Sequence, residues 1–63
     1  MNKHECPCCN NLSLSELGRW ETCDVCNWED DPIMTDNPDY SGGAMDMSLN
    51  EARRAYREGR KVA

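Results

Sequence analysis

The chain has no phenylalanine, and Trp20, Trp28, Tyr40 and Tyr56 are all the aromatic residues it carries. A large aromatic core is therefore excluded; the two tryptophans could stack on bases, but are more simply expected to be the core itself. No apolar stretch approaches the ~20 residues needed to cross a membrane. Met1 to Cys6 hold no apolar run of the kind that directs secretion, so a cytoplasmic protein is expected. His4 is the single histidine, and there is neither a serine-histidine pair nor a phosphate-binding glycine loop. Without such a constellation an enzyme is not expected. Positive charge is short too: the net charge is -5, and residues 29–47 contain no Lys or Arg.

Length imposes a further limit, because 63 residues leave room for one domain, 1–63, and no second. Size scaling gives about 10,400 Å² of surface for the unfolded chain and about 4,100 Å² for the folded one. If about 60% of the difference is apolar, its burial contributes about 90 to 95 kcal/mol. Ordering the chain at about 1.5 kcal/mol per residue costs nearly the same. Something beyond an apolar interior must decide whether the chain folds.

Cysteine is what the chain does have. Cys6/Cys9 and Cys23/Cys26 form two C-x-x-C pairs thirteen residues apart, just short of the central gap of about fifteen to twenty residues in two-pair zinc sites. A disulfide scaffold is the alternative. A reducing compartment and an odd count of five cysteines argue instead for metal. Four thiolates point to one tetrahedral Zn²⁺, with iron less favoured, because a closed structural site needs no redox partner. Such a site supplies on the order of 10 kcal/mol, enough to settle the balance above. It would also carry the loaded protein from -5 to about -7.

Within each pair the turn chemistry is legible. Pro7 pre-sets a turn, and Asn10 and Asn27 are residues that tolerate the left-handed conformation where the chain reverses. Backbone amides in such knuckles point at the sulfurs. Cys8, between two ligands, is expected to face outward as a free thiol whose pKa the cluster raises; ligand exchange with Cys9 and redox sensing are the competing roles. His4 is close enough in sequence to replace a lost ligand.

The first knuckle follows a short polar lead, residues 1–5, expected to be mobile. The alternation over residues 12–15 predicts a strand with Leu12 and Leu14 on one face, a turn at 17–19 and a returning strand at 20–22, making 6–26 a knuckle-hairpin-knuckle unit. Residues 28–47 read as an acidic loop of charge -6, in which Pro32 ends regular structure and Ile33 and Met34 return to the core. Glu29, Asp30 and Asp31 are expected on the solvated surface, with Glu29 or Asp30 pairing with helix arginines, rather than in a hard-cation site. So long a loop should contain one brief helical turn or strand. Ser48 and Glu51 match a capping box opening a helix over 48–59 that stops at Gly59, with Leu49, Ala52 and Tyr56 as its apolar stripe. Arg53, Arg54, Arg57, Arg60 and Lys61 crowd that helix and its end, so that residues 48–63 carry +3. These cations could bind nucleic acid; a match with the acidic loop explains the same charges without it.

Cys6-Pro7-Cys8-Cys9, the second pair followed by Trp28-Glu29-Asp30-Asp31, then Gly42-Gly43 and Ser48-Leu49-Asn50-Glu51-Ala52-Arg53, together resemble the cysteine-rich CPCC family of small bacterial proteins. The resemblance implies a bacterial protein with a pair of metal knuckles, and brings no activity with it. Asn27 departs from it, because an aromatic residue is expected there. Rubredoxin is also small, acidic and built on two C-x-x-C pairs, but has a far longer gap and a glycine after each knuckle.

The expected fold is a small metal-bound α+β domain, zinc-ribbon-like, with two knuckles, a β-hairpin and a C-terminal α-helix. The expected function is a structural zinc-binding module, a non-catalytic interaction or accessory protein with a protein partner. The alternatives are a nucleic-acid-binding zinc ribbon using the basic helix, and a rubredoxin-like iron or thiol redox protein.

Overall fold

Each C-x-x-C pair is the turn of its own hairpin. The computed structural model describes residues 3–63; Met1 and Asn2, part of the polar lead, lie outside the described residues. In the first hairpin, β1 (His4–Glu5) pairs antiparallel with β2 (Leu12–Leu14) across the knuckle. In the second, residues 20–22 run against residues 28–30: Thr22 bridges Glu29, the Trp20 amide donates to Asp30 C=O at 3.1 Å, and the Asp30 amide donates to Glu21 C=O at 3.0 Å. Asn10 and Asn27 adopt φ of 65° and 76°, the left-handed conformation that closes each turn.

This corrects the strand pairing expected from sequence. β2 and residues 20–22 are not partners among the described residues; each pairs with the chain on the far side of its nearer knuckle, and part of the polar lead becomes a strand. The reason is local. Each knuckle already closes on itself, with the Cys6 amide donating to Asn11 C=O and the Cys23 amide to Trp28 C=O, so the flanking chain pairs outward from that turn. The linker is held instead by the Glu21 carboxylate, which accepts from the amides of Ser15 at 3.0 Å and Glu16 at 3.2 Å.

The β1–β2 register shifts between the pairs His4–Leu14 and Glu5–Leu12, leaving Ser13 as the additional residue. Such a bulge breaks the two-residue alternation. Ser13 and Leu14 are consequently both buried, and Leu12 is exposed, so the two leucines do not share a face as expected.

After the second hairpin, α1 (Pro32–Asp36) is the brief helical turn that the long acidic segment required. Pro32 starts it rather than ending an element: proline suits the first helical position, where its missing N–H would be unpaired anyway. Asp31 is the N-cap, accepting from the Ile33 amide at 2.9 Å. Met34 faces the core and Ile33 faces solvent. The loop then closes back on α1. Gly43 approaches so near that a Cβ there would lie 2.9 Å from both Met34 Sδ and Asp31 Oδ2.

Helix α2 (Leu49–Arg57) begins with a complete capping box, Glu51 N–H to Ser48 Oγ and Ser48 N–H to the Glu51 carboxylate. The hydrogen bond from the Ser48 amide, above all, holds the Glu51 carboxyl below its ordinary range. It ends in a Schellman motif: Arg60 N–H donates to Ala55 C=O and Gly59 N–H to Tyr56 C=O, with Gly59 at φ 74°. Its buried stripe is Leu49, Ala52 and Ala55, while the expected Tyr56 is exposed.

Trp28, Leu14, Met34 and Leu49 are the largest fully buried side chains, and all five cysteines lie in or against this core. Trp20, expected beside Trp28, is exposed at φ 56°. Among the described residues no helix is long and apolar enough to cross a membrane.

Candidate metal centre

The two hairpins present their cysteines to one another. The Sγ atoms of Cys6, Cys9, Cys23 and Cys26 all lie within 4.8 Å of one another, and none is in a disulfide. Cys6 Sγ is 3.7 Å from Cys26 Sγ, and Cys9 Sγ is 3.7 Å from Cys23 Sγ. A disulfide would need about 2.05 Å. Sulfurs about 2.3 Å from a central zinc, placed tetrahedrally, are about 3.8 Å apart. Four sulfurs this close can hold one metal ion, and the two 3.7 Å pairs match that spacing.

The backbone prepares these sulfurs for charge. In the second knuckle the amides of Val25 and Cys26 donate to Cys23 Sγ at 3.3 and 3.4 Å. In the first, the amides of Cys8 and Cys9 favour the Cys6 thiolate. Burial pushes the Cys6 and Cys26 thiols well above their ordinary range. Burial opposes ionisation of Cys23 as well, but hydrogen bonds from the Ser13 hydroxyl and the amides of Cys26 and Val25 outweigh it and hold this thiol at about 6. Cys23 is thus the sulfur readied as thiolate, and its buried neighbours favour ionisation only when a cation replaces their protons.

Ser13 is a residue that sequence reasoning missed. Its hydroxyl lies 2.9 Å from Cys23 Sγ, brought there by the bulge in β2. The alternation of residues 12–15 gave no sign of it, because an unbroken strand would have turned Ser13 away from Leu14.

Cys8 does not face outward as expected. It is buried, 6% exposed, and burial pushes its thiol up to about 11. The first knuckle is tied to α2, where Arg53 Nε donates to Pro7 C=O at 2.8 Å, and Cys8 belongs to the buried core cluster. His4 is exposed in β1, outside the sulfur cluster.

Asp30 and Asp31 are also not solvated surface. Asp30 is 1% exposed and accepts from the Gly18 amide at 2.7 Å and the Thr35 hydroxyl at 2.9 Å. Asp31 caps α1 and accepts from the Ala44 amide at 3.2 Å. Among the described residues the ion pairs are Arg19–Glu16 and Arg60–Glu58, so neither Glu29 nor Asp30 pairs with a helix arginine as expected. Of the basic set, Arg53 is bonded to Pro7 and Asn50, and Arg60 to Glu58; Arg54, Arg57 and Lys61 are exposed.

Asn27 is exposed at its left-handed position, and the buried aromatic residue of the second knuckle is the following Trp28. No curated protein matches the chain. Residues 4–59 match the cysteine-rich CPCC family over both hairpins, the acidic segment and α2. With that match spanning most of its length, the chain belongs to the cysteine-rich CPCC family.

Proposed function

We propose that the chain is a zinc-ribbon-like structural module in which Cys6, Cys9, Cys23 and Cys26 hold one Zn²⁺, and that it serves as a non-catalytic interaction or accessory protein. The observation that carries this reading is the clustering of four unlinked sulfurs within 4.8 Å of one another, in and against the core. Zinc suits a closed all-thiolate set, and when bound it supplies a cross-link between the two hairpins. The core gives it reason to be there: much of what is buried is sulfur rather than hydrocarbon. Five unlinked cysteines suit a reducing compartment such as the cytoplasm. The non-catalytic reading is supported by Asp30 and Asp31, whose carboxylates are taken up in structural hydrogen bonds.

Chelation tests it. Removing the metal should unfold the chain, read as loss of the near-UV dichroism of the buried Trp28. A chain that stays cooperatively folded without metal contradicts the reading. Visible absorbance in the purified protein would replace zinc by iron.

A further inference from the structure

A cleft of about 320 Å³ opens between the first knuckle, the inter-knuckle linker and α1. Its size is near the lower end of the ~300–1,000 Å³ range of ligand sites, suited to one long side chain. Pro7, Leu17 and Pro32 give it apolar walls, and Leu17 is left more than half exposed. Glu5 from β1 and Asp36 from α1 bring exposed carboxylates to it, and the buried Asp30 adds a third. Asp30 is fixed by the Gly18 amide and the Thr35 hydroxyl.

No cation lines the cleft, and none of its three carboxylates takes part in an ion pair among the described residues. Residues 29–47, which contribute Asp30 and Asp36, contain no Lys or Arg. An apolar channel bordered by uncompensated negative charge complements one kind of side chain: a long aliphatic stem ending in a cation. Arginine fits best, because its planar guanidinium can reach two carboxylates at once.

We propose that this cleft docks an arginine side chain of a partner protein, its stem along Leu17 and Pro32 and its guanidinium between Glu5 and Asp36. This rests on the interaction reading above and names the chemistry of the partner.

The test uses the full chain, ¹⁵N-labelled, with its metal content and near-UV dichroism established beforehand. Failure in a folded, metal-loaded sample then counts against the cleft alone. The probe is a blocked Gly-Arg-Gly peptide, compared with its Gly-Gln-Gly counterpart. The arginine peptide should shift the amide resonances of Gly18, Thr35 and Asp36 saturably, and the glutamine peptide should not. Glu5→Gln and Asp36→Asn remove carboxylates that make no hydrogen bond within the fold among the described residues, so both variants should stay folded. Each should weaken binding roughly two- to fivefold, and added salt should weaken it further. Equal shifts with glutamine, no shifts at the cleft, or indifference to both variants would overturn the proposal. So would concentration-dependent shifts at these amides without peptide, which would make a second copy the occupant.

Discussion

In the first knuckle the Cys6 amide donates to Asn11 C=O and the Asn10 amide to Cys6 C=O; in the second, Cys23 with Trp28 and Asn27 with Cys23 make the same two bonds. The asparagines share their left-handed conformation, and in each pair the amides of the same two following positions favour the first cysteine's thiolate. Their surroundings differ. Arg53 of α2 bonds to Pro7 of the first knuckle, and Cys8 is buried, whereas Asp24 and Val25 of the second stand in solvent. The second is held from its far end, by buried Trp28 and by Ser13 reaching Cys23 from the first hairpin. Local sequence thus builds two equivalent half-sites, and tertiary packing makes them unequal.

The largest perturbation should erase that inequality. Cys6→Ser and Cys23→Ser each remove a donor from the shared centre, and both should lose metal and fold alike, since the ion contributes on the order of 10 kcal/mol. Elemental analysis with near-UV dichroism checks both at once. A smaller change should expose the asymmetry. Trp28 and Asn11 occupy corresponding positions, but Trp28 is fully buried and Asn11 is exposed. Trp28→Ala should cost about 3–5 kcal/mol and Asn11→Ala within about 0.5 kcal/mol, measured by denaturant unfolding of the metal-loaded protein.

Ser13→Ala should act on one half-site only. Removing its hydroxyl from Cys23 should weaken metal binding roughly 10- to 100-fold, the usual range for groups that orient a ligand. The sign with pH follows from the Cys23 thiol, held at about 6 partly by that bond. Without it the thiol pKa rises, protons compete better, and metal should be released at a higher pH, as read by a zinc-responsive dye. Smaller effects come from the braces on the other side: Ser48→Ala should cost about 1 kcal/mol through the lost cap, and Arg53→Ala about as much through the bond to Pro7. Both should leave metal stoichiometry unchanged.

What was legible in the sequence was whatever local chemistry decides. The C-x-x-C spacing, the turn asparagines and the Ser48/Glu51 box each specify their geometry within a few residues, and the structure forms the turns and the helix at those positions. Strand pairing was not legible, because the two residues of β1 carry no apolar alternation to mark them. Pro32 was ambiguous in principle: proline stops one helix and starts another, and what decides is the Asp31 cap, which only the fold places. Asp30 and Asp31 look like surface until the amides and hydroxyl that satisfy them are known. Ala55 replaced Tyr56 in the buried stripe, where a small residue fills the core-facing position that the larger ring leaves for solvent.

The central claim is that four sulfurs from two hairpins share a single ion. Native mass spectrometry of the intact chain, with elemental analysis of the same sample, tests it most directly. The account predicts one zinc per chain, lost in both Cys6→Ser and Cys23→Ser. A folded chain that carries no ion, or one that keeps its ion after both cysteines are replaced together, would contradict it.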